Sequence, residues 1–99
     1  MEQHQYKISL HEPFDFESYD DIKVKINKAL KNGKTEIVID LNDVEHMDSS
    51  AIGMLIIAYK NSENSGAKVR VINANEYIHE MLYLTQLDKL FPIEKRIIK

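Results

Sequence analysis

Two adjoining runs decide the reading: Thr35-Glu-Ile-Val-Ile-Asp-Leu41 and Ala51-Ile-Gly-Met-Leu-Ile-Ile-Ala-Tyr59, separated by Asn42 to Asp48 and the pair Ser49-Ser50. The first is short, β-branched and almost continuously apolar. That is the pattern of a strand covered on both faces, which favours a parallel sheet. The second, with the residues up to about Asn64, reads as a helix closed by Gly66. Ile52, Leu55, Ile56 and Tyr59 form one helical stripe, and Met54, Ile57 and Ala58 form another roughly opposite. A helix lying on a sheet needs only one stripe, so the surplus must be covered. A neighbouring helix or the end of the sheet would do it. So would a partner protein seated on Met54, with Ala51 and Gly53 letting its backbone come close. Gly53 inside a helix costs about 0.5–1 kcal/mol relative to alanine, which calls for a packing reason. Ser49 and Ser50 are placed to cap the helix, one serine oxygen accepting from a first-turn N–H.

Working outward, Gln5 to Leu10 alternates Tyr6, Ile8 and Leu10 with Lys7 and Ser9, a strand with one wet face that ends at His11-Glu12-Pro13. Tyr19, Ile22, Ile26 and Leu30 recur on one helical face, with Ser18 as N-cap, Asp20 and Asp21 in the first turn, Lys28 and Lys31 in the last, and Gly33 beyond. Lys68 to Ile72 is another strand. Asn73 and Glu76 make a capping box for a helix through Tyr77, Ile78, Met81, Leu82 and Leu84, and Leu90 to Ile98 makes a last strand at an edge, since Pro92 lies in it. The order β-α-β-α-β-α-β predicts a single α/β domain over residues 1–99. Its sheet is mainly parallel or mixed, of about four strands, with helices packed against it.

Composition narrows the function. At 99 residues and 43% apolar the chain is one core, and with no cysteine it has no disulfides, thiolate metal sites or cysteine nucleophile. Thirteen basic against sixteen acidic side chains leave a net charge of −3, the wrong balance for a nucleic-acid partner. The longest run without a charged or strongly polar residue, Ala51 to Tyr59, is too short to span a bilayer, and the start lacks a signal pattern. A soluble cytoplasmic protein without membrane attachment is expected.

Enzyme and metal readings fit the motifs poorly. A serine hydrolase elbow needs Gly-x-Ser-x-Gly where this chain has Met47-Asp-Ser-Ser-Ala51. The acidic loop Asp40, Asn42, Asp43, Glu45, His46 and Asp48 fails the EF-hand pattern at Val44, Glu45 and Ala51, and His4, His11, His46 and His79 show no paired ligand spacing. Magnesium at Asp40, as in a response-regulator receiver, lacks its acidic pair after the first strand. Gly33, Gly53 and Gly66 are isolated and make no phosphate-cradling loop. No cofactor and no metal are expected.

Ile37-Val-Ile-Asp-Leu-Asn-Asp-Val-Glu-His-Met-Asp-Ser-Ser-Ala-Ile-Gly-Met-Leu55 resembles the central signature of STAS domains, and of bacterial anti-sigma factor antagonists among them. The likeness continues through Gly66-Ala-Lys-Val-Arg-Val-Ile and Met81-Leu-Tyr-Leu-Thr-Gln-Leu-Asp-Lys-Leu-Phe91. It covers Glu36 to Phe91 well and the first 35 residues weakly. It implies a non-enzymatic partner switch in transcription control. Ser49 stands where the family serine is phosphorylated by a partner that is both anti-sigma factor and serine kinase. The unmodified antagonist captures that partner, and a PP2C-type phosphatase resets it. On this resemblance Asp48 fixes the loop, Ser50 caps the helix, and Met47, Ala51 and Met54 belong to the partner contact. Asp15, within Glu12-Pro13-Phe14-Asp15-Phe16, stands for the acid of a family turn near the kinase. The Phe-Asp-Phe form is similar to a subgroup tied to flagellar and biofilm control. Ala51 replaces the usual glycine, and the short N-terminus implies a first family strand truncated or lost. The alternative is an unphosphorylated scaffold or oligomer subunit using the same surface, which phosphate labelling separates from the switch.

Overall fold

The structure, a computed structural model, describes residues 4–12 and 16–97. Among them the elements run β1 (Gln5–His11), α1 (Phe16–Lys31), β2 (Glu36–Asp43), α2 (Ser49–Asn64), β3 (Lys68–Ala74), α3 (Glu76–Leu84), a 3-10 turn (Leu87–Lys89) and β4 (Ile93–Lys95). The strands form one sheet in the order β1-β2-β3-β4, every pairing parallel. This is the α/β architecture the alternating pattern predicts. Right-handed crossovers between strands taken in chain order place every helix on the same face.

Burial follows that geometry. Ile8, Leu10, Ile37, Ile39, Leu41, Val69 and Val71 alternate toward the helices and join Ile26, Leu55, Ile78 and Leu82 in one core. The opposite face carries Lys7, Val38, Asp40 and Arg70 and, among the described residues, has no helical layer. β2 is nonetheless buried on both faces, as expected, Ile37 to Leu41 all being buried, although no helix supplies the cover on this side among the described residues. Val38 is only 4% exposed yet lies outside the core cluster. It sits in register between Lys7 and Arg70, whose long apolar stems shield it. Their charged ends are paired across strands, Lys7 with Asp40 at 3.3 Å and Arg70 with Glu94 at 2.7 Å. Side-chain stems and ion pairs seal what a second helical layer would otherwise cover.

Two helix starts differ from the sequence reading. Helix α1 begins at Phe16, which puts Ser18 in its first turn rather than at the cap. Helix α3 is capped by Asn75, whose side chain accepts from the Ile78 amide at 2.8 Å, and not by Asn73. β3 runs on to Ala74, and Asn73 takes φ +61° while its Nδ2 donates to Asp40 Oδ1 at 2.9 Å. Gly33 and Gly66 close α1 and α2 at φ +84° and +78°, a conformation side chains resist. β4 is a short edge strand just after Pro92, whose carbonyl accepts from the Val71 amide at 3.0 Å.

Candidate functional site

The connection from β2 to α2 is pinned from below by its apolar residues. Val44 and Met47 are buried, while Glu45, His46 and Asp48 face outward. At its start the Asn42 amide donates to Asp40 Oδ1 at 2.9 Å, and the Val44 amide donates to the Leu41 carbonyl at 3.0 Å. At its end Asp48 holds extended backbone (φ −98°, ψ −177°) and its Oδ1 accepts from the Ala51 amide at 2.9 Å. Asp48 is thus the N-cap. Ser49 and Ser50 occupy the first two helical positions, and the expectation that a serine caps the helix is corrected. A carboxylate reaches the third amide directly, which leaves both hydroxyls exposed.

Two further side chains fasten the loop from outside. Glu12 Oε1 accepts from the amides of Glu45 (2.9 Å) and His46 (2.8 Å). These bonds, the one from His46 foremost, hold the Glu12 carboxyl below its ordinary pKa by favouring the charged form. Asn75, while capping α3, donates through Nδ2 to the Glu45 carbonyl at 3.1 Å. Asp15, expected on the approach to the site, lies outside the described residues. The acid of that connection seen to reach the loop is Glu12, which the sequence reading passed over.

The expected site residues separate into two sets. Asp48, Ser49 and Ser50 stand together at the exposed rim. Met47, Ala51 and Met54 are 4%, 0% and 6% exposed and belong to the core. The expectation that Met54 offers an open contact surface is corrected: with Ala51, Leu55 and Ala58 it forms the inward face of α2. The surplus apolar side is covered by neighbours within the chain. Tyr19 and Ile22 of α1 line one crevice with Ala58, and Phe91 lies 5.8 Å from Tyr59, ring to ring.

The outward face of α2 is instead Ser49, Gly53 and Ile57 at four-residue steps, with Ser50 beside them. Ile57 is 43% exposed. A Cβ added at Gly53 would meet no atom within 4 Å, so the packing reason expected for this glycine does not lie within the described chain. The i, i+4, i+8 spacing was in the sequence but was masked by the apolar residues on every side of it.

Asp40 is committed elsewhere. Burial alone would raise its pKa, but hydrogen bonds from Asn73, the Asn42 amide and Lys7 outweigh it and hold the carboxyl below its ordinary value. Among the described residues no group of three His, Asp or Glu side chains is placed to hold a metal ion. No helix there is long and apolar enough to cross a membrane. What the site offers chemically is an exposed hydroxyl at a helix N-terminus, where free N–H groups and the dipole favour an anion.

Comparison with known proteins agrees with this geometry. The STAS domain model matches residues 2–98. An "Anti-sigma F factor antagonist" of Paenibacillus polymyxa is 28% identical over 87 residues, 87% of this chain and 74% of that protein. TM1081 of Thermotoga maritima superposes with a TM-score of 0.83 at 24% identity, over 96% of this chain and 77% of its own. SpoIIAA, the Bacillus cell fate determinant, superposes in its unphosphorylated form with a TM-score of 0.74 (20% identity, 90% of this chain, 78% of that one). Its phosphorylated form gives 0.71 (19%, 93% and 84%). At such identities the superpositions establish the fold. With a match that runs through all four strands, all three helices and the Asp48-Ser49 turn, this chain belongs to the STAS domain family.

Proposed function

We propose that the domain is an anti-sigma factor antagonist gated at Ser49. Unmodified, it captures an anti-sigma factor that is also a serine kinase. Phosphorylation of Ser49 by that kinase releases it, and a PP2C-type phosphatase restores capture. The domain is the substrate of these reactions and catalyses none of them. One observation carries the reading: the Ser49 hydroxyl is exposed at the first position of α2 while Asp48, not the serine, does the capping. Modifying the hydroxyl therefore removes no bond that the helix start depends on. The similarity to a protein named as an anti-sigma F factor antagonist, and to the fold of SpoIIAA in both phosphorylation states, supports the role.

A phosphate on Ser49 adds about −1.5 to −2 charge. The helix N-terminus tolerates it, so the fold survives. A partner covering the rim would have to desolvate that dianion beside the Asp48 carboxylate, and binding fails. The contact surface is Ser49, Ser50, Gly53 and Ile57 with Asp48 at its edge. Met47, Ala51 and Met54 support it from beneath, and Asp15 belongs to the approach from the β1–α1 connection.

The test uses the anti-sigma kinase, ATP and intact-mass measurement. One phosphate is expected on the wild-type chain and none on Ser49→Ala. Ser49→Asp is expected to weaken capture about ten-fold or more, roughly 1.4 kcal/mol, with Tm nearly unchanged. Phosphate appearing on Ser49→Ala, or equal capture by wild type and Ser49→Asp, overturns the reading.

A further inference from the structure

We propose that Arg96 is a positioning residue for the Ser49 site: reaching over the end of the sheet, its guanidinium holds the β2–α2 loop in the shape the partner meets. This rests on the reading of Ser49 as the switch.

Arg96 directly follows β4, and its own amide donates to the Ala74 carbonyl at 2.7 Å, which ties its backbone to the end of β3. From there the side chain passes beyond β3 to the far end of β2, more than fifty residues away in sequence. Nη2 donates to the Asn42 carbonyl at 2.6 Å and the Leu41 carbonyl at 3.2 Å, with the Val44 carbonyl at 3.4 Å. Nη1 donates to Glu45 Oε1 at 3.3 Å. The planar fork thus spans the turn from its first carbonyl to its outermost acid, which a lysine ammonium cannot do from one point.

The geometry is held rather than incidental. The arginine side chain is mostly buried, and its backbone is fixed by the bond to Ala74, so the fork is presented to the turn from a settled position. Glu45 is where the fastenings meet: its amide donates to Glu12, its carbonyl and Oε2 accept from Asn75, and its Oε1 accepts from Arg96. Four residues further along stands Ser49. A loop already ordered spares the partner the entropy of ordering it on binding, so the far end of the chain tunes recognition at a site it does not touch.

The experiment compares Arg96→Met and Arg96→Lys with wild type in the full chain, reading amide hydrogen exchange residue by residue together with capture of the anti-sigma factor. In both variants, exchange at Glu45 and His46 is expected to accelerate ten-fold or more while Ile37 and Ile39 in β2 keep their protection. Capture is expected to weaken several-fold with Ser49 intact. Unchanged exchange at Glu45 and His46, equal acceleration throughout β2 and the loop, or full restoration by Arg96→Lys overturns the proposal. So does undiminished capture by a chain whose loop has loosened. If Arg96→Met does not fold, Arg96→Lys alone decides by the same criteria. The exchange measurement needs no partner, so a failed Ser49→Asp test would remove the switch while leaving the clamp itself measurable.

Discussion

The two faces of α2 answer to different constraints. Inward, Ala51, Met54, Leu55, Ala58 and Ser62 are buried, and even the one hydroxyl among them is satisfied, Ser62 Oγ donating to the Ala58 carbonyl at 2.8 Å. Outward, Ser49, Ser50, Gly53 and Ile57 meet no such demand: two exposed hydroxyls, a glycine with open space around it and a half-exposed isoleucine. The inward face is chosen by packing. The outward face carries a glycine, which weakens the helix and at which a Cβ would meet nothing among the described residues. Packing and exposure are thus separated by half a helical turn.

Substitutions on the two faces should therefore differ in sign as well as size. The largest effect is expected from Leu55→Ala, which removes a side chain only 2% exposed. It should cost about 2–5 kcal/mol, a large part of the roughly 5–15 kcal/mol that holds a domain of this kind. Urea unfolding checks it, and a loss under about 1 kcal/mol would mean that the inward face is not closely packed. Asp48→Ala lies at the boundary between the faces and should cost about 1 kcal/mol through the lost cap. The same variant tests the capping assignment, since a serine cap would leave stability unchanged.

Gly53→Ala should go the other way, stabilising the domain by about 0.5–1 kcal/mol while weakening anti-sigma capture. Stabilisation without loss of capture would sharpen the contact surface by excluding Gly53 from it. The smallest effect concerns acid. The folded pKa of Glu12 lies below its ordinary value, so its hold on the loop is complete above the usual carboxylate range and is lost as pH falls through the depressed value. Protection of Glu45 and His46, taken against the intrinsic exchange rate at each pH, should fall in that window, and Glu12→Gln should remove that change. Unaltered protection across it would show that Arg96 and Asn75 suffice.

Much of this was legible from local pattern. Alternation from Gln5 to Leu10, the apolar run of β2, the spacing of Tyr19, Ile22, Ile26 and Leu30, and the punctuation by Gly33 and Gly66 all act over a few residues and placed the elements in order. Caps were harder because several residues could serve. In Asp48-Ser49-Ser50, and again in Asn73-Ala74-Asn75, the cap is whichever residue stands where the backbone turns helical. That point depends on how far the preceding strand or loop runs.

The phase of α2 was not legible at all. With apolar residues on nearly every side, sequence alone cannot say whether Met54 or Ile57 faces the sheet; the positions of α1 and Phe91 settle it. The fastening of the Ser49 loop is the extreme case. Glu12, Asn75 and Arg96 reach Glu45 across 33, 30 and 51 residues of chain, and no spacing rule connects them. The sequence by itself determined the succession of strands and helices and a mainly parallel or mixed sheet, because these follow from periodicity and turn chemistry. Only the tertiary structure decided which side of α2 is open and what holds the loop before it, because those depend on which distant segments the sheet brings together.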